Sequence, residues 1–83
     1  MVVGKVIGNV WATRKEESLN GLKLLVVQVD KESETLVAAD LVGAGIGETV
    51  LVTRGSSARI AVFKEDCPID AAVVGIIDSL EVD

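Results

Sequence analysis

The sequence predicts an all-β domain: a small, five-stranded, partly open barrel of the OB-like kind with one short helix. Five short stretches rich in Val, Ile, Leu and Thr recur along its 83 residues, each set off from the next by a cluster of Gly, Asn, Ser or charged residues. Trp11 and Phe63 are the only aromatic residues, which suits a narrow interior filled by small aliphatic side chains. No change of composition, linker or internal repeat divides the chain, so residues 1–83 read as a single domain.

The first strand is expected over residues 5–13, with Val6, Val10 and Ala12 on one face and Ile7 and Trp11 on the other. Gly4 and Gly8 share the Val6 face, and a missing side chain there implies a bend or a close backbone approach. A polar connection over 14–21 ends in the turn pair Asn20-Gly21. The second strand, 22–30, has Leu22, Leu24 and Val26 on one face and Leu25, Val27 and Val29 on the other, so both faces demand burial. The polar tip 31–34 turns the chain into a third strand over 35–42. A glycine-rich run, 43–48, follows, and then a fourth strand over 49–54. Residues 55–61 lack strand alternation and read as a short helix capped by Ser56. A charged loop, 64–68, leads to the last strand over 71–79, where Val73 and Ile77 oppose Ala72, Val74 and Ile76.

Apolar residues make up 49% of the chain, and its mean hydropathy is +0.49. A domain of this size buries only about 60–65% of the surface its unfolded chain exposes, so the apolar excess needs outside cover. A membrane-spanning helix takes about 20 consecutive apolar residues, and the richest runs here, 24–27 and 71–77, are far shorter. No signal-peptide pattern precedes the polar stretch from Arg14, and the single Cys67 has no disulfide mate, so the chain reads as cytoplasmic. Self-association is the cover that is left. The doubly apolar strand 22–30 places the expected contact on the outer wall of the barrel. Nucleic acid is disfavoured as a partner, and none is expected, because a net charge of −5 repels phosphate and two aromatics make no stacking platform.

Catalysis has no evident machinery. With no His and no Tyr, the chain lacks the usual base at neutral pH, a common metal ligand and any Ser-His or Cys-His pair. Ser56 and Ser57 therefore read as cap or turn residues. Cys67 lies beside Glu65 and Asp66, whose charge works against a thiolate, and reads as a small packed residue. Residues 30–34 carry alternating acids without the glycine and distal glutamate of a calcium loop. The G-x-G-x-G spacing at 43–47 precedes a strand rather than a helix, which fits neither a dinucleotide fingerprint nor a P-loop. It reads as a loop using positive φ or close backbone packing. Arg59 is expected to pair with Glu48 or another carboxylate. No metal or cofactor is expected.

The order of motifs resembles one known family. Lys5-Val6-Ile7-Gly8-Asn9-Val10 with Ala12-Thr13-Arg14-Lys15 comes first, then Gly21-Leu22-Lys23-Leu24-Leu25-Val26-Val27-Gln28. Asp40-Leu41-Val42-Gly43-Ala44-Gly45-Ile46-Gly47-Glu48 follows, with Gly55-Ser56-Ser57-Ala58-Arg59 and Ile69-Asp70-Ala71-Ala72-Val73-Val74-Gly75-Ile76-Ile77-Asp78 after it. Together they are similar to the EutN/CcmL family of bacterial microcompartment vertex proteins, over nearly the whole chain. The resemblance implies a β-barrel subunit that forms a homopentamer, with no enzymatic role. Such rings cap the vertices of a polyhedral shell in the bacterial cytoplasm, whose facets are tiled by hexagonal shell proteins. It implies subunit contacts near the centre of the ring at Gly43, Ala44, Gly45, Gly47 and Glu48 and at Gly55, Ser56, Ser57 and Arg59, and shell contacts at Thr13 and Lys15.

The motif residues by themselves are compatible with five or six copies, because a small change in interface angle alters ring closure. Two rivals come from other classes. One is an OB-like module for a small molecule or nucleic acid, which the acidic charge disfavours. The other is an enzyme with a carboxylate-only site at Asp40, Asp70 or Asp78, which have no visible partner in the sequence.

Overall fold

A computed structural model describes residues 1–12, 15–29, 34–63 and 67–79. Its strands are β1 (Val2–Asn9), β2 (Leu24–Val29), β3 (Thr35–Asp40), β4 (Thr49–Arg54) and β5 (Ala71–Ile76). A 3-10 turn covers Glu17–Leu19, and one helix, α1, covers Ser56–Ala61. The strands follow one another around the wall as β1-β2-β3-β5-β4, with β4 returning to β1. β3 and β5 run parallel, and the other neighbours are antiparallel.

The barrel is closed, where the sequence suggested a partly open one. Closure comes from β1, whose ladder with β4 joins the two ends of that order. Its residues Val2 to Lys5 pair with Val52 to Thr49 of β4, while Gly4 to Asn9 pair with Val29 to Leu25 of β2. The two ladders overlap at Gly4 and Lys5. A Cβ at Gly4 would lie 2.5 Å from Val27 Cγ1 and 2.7 Å from the carbonyl oxygen of Gln28, so only glycine permits the approach. A bulge between Val6 and Gly8 supplies further bend and leaves Ile7 exposed.

Inside the barrel, Val6, Leu25, Val27, Ala38, Ala44, Val50, Val52, Ala71 and Val73 form the main core. Of the two faces expected for β2, the one with Leu25, Val27 and Val29 is buried, and Val50 and Val52 alternate inward along β4. A second cluster lies on the outer side of β2 and β3, where Ala39, Cys67 and Ile69 are buried and Leu19, Leu22, Leu24 and Val62 pack against them. Leu22, just before β2, and Leu24 are half-buried against this cluster, so this chain's own connections cover them in part. Cys67, expected to be partly packed, is buried in this cluster, and its thiol donates to the Ser18 carbonyl at 3.6 Å.

Element ends differ from expectation for local reasons. β1 stops at Asn9, so Trp11 falls outside the strand and is 90% exposed. The 3-10 turn before β2 is held by Glu16, whose carboxylate accepts from the backbone N–H and the hydroxyl of Ser18. These bonds hold the Glu16 carboxyl below the usual carboxylate range. β3 stops at Asp40, whose side chain turns the chain. Across the lower part of the barrel, Arg54 and Glu34 form a half-exposed ion pair at 2.7 Å, a type that contributes at most about 1 kcal/mol.

Gly4→Ala is expected to lower the unfolding free energy by about 1–3 kcal/mol through overpacking. Gly8→Ala, whose Cβ would meet nothing closer than Val26 Cβ at 4.0 Å, is expected to change it by less than about 1 kcal/mol. Denaturant midpoints of the two variants at one fixed protein concentration check this, and equal shifts would refute the role given to Gly4.

Candidate assembly surface

At the upper end of the barrel β1, β3 and β5 finish and β2 and β4 begin; at the lower end the reverse holds. The glycine-rich loop, residues 41–48, carries the chain across the upper end from β3 to β4. Its shape is set by two carboxylates. Asp40 Oδ1 accepts from the backbone N–H groups of Val42 and Gly43 at 3.1 Å and of Ala44 at 3.3 Å. Glu48 Oε1 accepts from Gly45 N–H at 2.7 Å. Two further bonds tie the loop to β1, since Gly47 N–H donates to the Val6 carbonyl at 2.8 Å and Val6 N–H to the Glu48 carbonyl at 3.0 Å. Gly43 and Gly47 hold φ of 75° and 93°, a left-handed backbone that favours glycine.

With its N–H groups turned inward onto carboxylates and β1, this loop is no phosphate cradle. The side chain of Ala44 is fully buried in the main core, so it anchors the loop to its own barrel, whereas the sequence placed it among the contact residues. Gly43, Gly47 and Glu48 are exposed and Gly45 is half-buried. A Cβ at Gly45 would meet only Glu48 Oε1, at 3.5 Å, so this position has room within the chain. The tip is Ile46, with 63% of its surface exposed.

The second expected contact segment, residues 55–59, begins at the lower end of β4. Gly55 at φ 71° is the N-cap of α1 and makes no side-chain capping bond, so Ser56 is the first helical residue and not the cap. Gly55 N–H donates to the Asp70 carbonyl at 2.7 Å, which fastens the helix start to the residue before β5. Ser56 and Ser57 are exposed, and Ala58 packs inward. Arg59 Nη1 donates to the backbone carbonyl of Ile69 at 3.0 Å, and Glu48 is engaged with its own loop, so the expected Arg59–Glu48 pair does not form. The loop and the helix stand at opposite ends of the six-residue β4, roughly 17 Å apart at about 3.3 Å per residue. One copy therefore does not bring the two segments together.

Beside the glycine loop, an open groove of about 550 Å³ is lined by Asn9, Val10, Trp11, Ala12, Lys15, Gly21, Leu22, Lys23 and Leu24. Lys15 of the expected shell contact stands in it. Thr13, the other residue of that pair, lies outside the described residues, as do residues 31–33 of the expected hairpin tip and 64–66 of the charged loop. Lys23 links groove and loop, its Nζ donating to the Ala44 carbonyl at 3.3 Å. Sequence reasoning missed Lys23 and treated Asp40 only as an unsupported catalytic acid. For Asp40 the signal was present, because an Asp just before a glycine-bearing turn commonly accepts from the N–H groups that follow.

The family described as ethanolamine utilisation protein EutN/carboxysome matches residues 1–78. The chain belongs to the EutN/CcmL family. It is 52% identical to the bacterial microcompartment shell vertex protein GrpN of Rhodospirillum rubrum, over 98% of this chain and 97% of that one. It is 49% identical to the carboxysome shell vertex protein CcmL of Synechococcus elongatus, over 100% of this chain and 89% of that one. Among solved structures, the GrpN pentameric microcompartment shell protein from Rhodospirillum rubrum superposes with a TM-score of 0.89 at 50% identity, with both chains covered completely. These family members are structural shell proteins, not enzymes, and they lend no support to a small-molecule or nucleic-acid binding module.

Asp40→Ala removes an acceptor shared by three N–H groups and is expected to destabilise the chain by about 1–3 kcal/mol. Asp40→Asn, which keeps an acceptor oxygen, is expected to cost less. Denaturant midpoints order the two variants, and an unchanged midpoint for Asp40→Ala would refute the bracing of the loop.

Proposed function

We propose that this chain is a structural subunit that assembles into homopentamers. The pentamers cap the vertices of a polyhedral bacterial microcompartment shell in the cytoplasm, beside hexagonal shell proteins that tile its facets. Full-length similarity to shell vertex proteins, one of them solved as a pentameric shell protein, carries this reading. Geometry supplies the need, because flat hexagonal tiling does not close without five-sided units at its corners. A head-to-tail contact repeated around a five-fold axis leaves no interface unused.

Gly43, Gly45, Gly47 and Glu48 and the segment Gly55, Ser56, Ser57 and Arg59 are the proposed subunit-contact residues. Ala44 acts behind them by holding the loop to the core. Lys15, in the groove with Trp11 and Lys23, is proposed to face the neighbouring hexagonal tile together with Thr13. The groove's two lysines, on a chain of net charge −5, suit an acidic edge on that tile.

Five copies carry a formal charge of −25, five times −5, so assembly depends on apolar burial outweighing repulsion. Native mass spectrometry at micromolar concentration is expected to show a five-chain species that persists at high salt, where repulsion is screened. A monomer under both conditions would overturn the proposal. Gly45→Trp, at a position where an added Cβ meets only Glu48 Oε1 at 3.5 Å, is expected to keep the fold by circular dichroism while shifting the assembly to smaller species. An intact five-chain species in that variant would remove Gly45 from the contact.

A further inference from the structure

We propose that Lys23 selects the partner at the groove: the glycine-rich loop holds its ammonium so that the groove takes a carboxylate side chain of the neighbouring hexagonal tile, with Trp11 against the apolar residue beside it. This rests on the shell reading, and it names the chemistry that the groove recognises. Lys15 and Lys23 line the groove, and no acid among the described residues does. On a chain of net charge −5, that is a local cationic site whose complement is acidic. Other cations are already engaged, Arg54 with Glu34 and Arg59 with the Ile69 carbonyl.

Lys23 is held at both ends. Its Nζ donates to the Ala44 carbonyl at 3.3 Å, and Ala44 is anchored in turn, with its side chain in the main core and its N–H on Asp40. The Lys23 backbone is fixed as well, since its carbonyl accepts from Asp40 N–H at 2.8 Å. An ammonium has three donors and no acceptor, so one bond to Ala44 sets its position and leaves donors for a carboxylate. Placing the cation before the partner arrives lowers the ordering cost of the contact. The apolar half of the site comes from Trp11, Val10 and Leu22. Met1, Ile46 and Phe63 are strongly exposed too, but Trp11 is the large exposed apolar side chain that lines this groove, beside the two lysines. Tryptophan is among the residues that most often anchor an interface.

Trp11 is the only tryptophan, so its emission reports on the groove in the full chain. The probes are a capped tetrapeptide of alternating Leu and Glu and the same peptide with Gln in place of Glu. At low salt the Glu peptide is expected to move Trp11 emission to shorter wavelength and to bind about fivefold more tightly than the Gln peptide, the reach of one exposed charged pair. Lys23→Met is expected to abolish that preference while keeping the denaturant midpoint and the oligomeric state. Lys5→Met, which removes an exposed cation of β1 outside the groove, is expected to keep it. Equal binding of the two peptides, or an equal loss in Lys5→Met, would overturn the proposal. Co-expression with the hexagonal shell protein of the compartment tests the source of the carboxylate. Lys23→Met is expected to leave shells open at their vertices, and closed shells at the wild-type yield would overturn the tile as that source. Native mass spectrometry separates these failures from failure of the pentamer reading, which a five-chain species leaves standing and a monomer refutes.

Discussion

The structure depends on the approach of β1 to β2 at Gly4. Each of the five strands pairs with neighbours on both sides, and the eight-residue β1 closes the barrel by pairing with β4 as well as with β2. The missing side chain at Gly4 lets the Gln28 carbonyl and the Val27 methyl come within 2.7 Å and 2.5 Å of where a Cβ would sit. Closure then removes the free strand edges that would otherwise invite uncontrolled pairing. It also fixes the upper rim, because Val6, two residues further on, holds both Gly47 and Glu48. The curvature of β1 and the position of the glycine loop are thus one structural fact, and what the barrel offers to a neighbour follows from it.

With its strands paired into a closed wall, the chain is proposed to associate through its ends and connections. The apolar excess in the composition divides into two parts. One part is absorbed internally, where the segments after α1 and before β2 fold over the outer wall and bury Ala39, Cys67 and Ile69. The other part stays on the surface, at Trp11, Ile46, Ile60 and Phe63 on loops and the helix and at Ile7, Val37 and Ile76 on strands. Members of the EutN/CcmL family are shell proteins, and surface left apolar in this way suits a subunit of an assembly. The carboxylates of Asp40 and Glu48 hold the glycine loop in one shape, with the donors of Val42, Gly43, Ala44 and Gly45 already used.

Much of this was legible in the sequence. The grouping of Leu25, Val27 and Val29 on one face of β2 follows directly from the period of a strand, and the loss of alternation after Arg54 located α1. Gly4 was read as a bend or close approach on the same grounds. What escaped the sequence depended on non-local placement. Closure required β1 to pair with two strands about 25 and 50 residues away, which periodicity does not encode. The cover over Leu22 and Leu24 comes in part from Val62, Cys67 and Ile69. Arg59 was assigned a carboxylate because a carboxylate is visible in a sequence, whereas its acceptor, the carbonyl of Ile69, carries no residue signature. Ser56 was taken for a cap on composition, but Gly55 at φ 71° occupies that position because the turn out of β4 needs a left-handed residue.

The central claim is that a barrel closed by the pairing of β1 with β4, and bent at Gly4, serves as the subunit of a five-membered ring. A crystal or cryo-EM structure of the purified assembly tests it most directly. The account predicts five copies around one axis, each a closed barrel with Gly4 against Val27 and Gln28. A ring of another number, or a barrel open between β1 and β4, would contradict it.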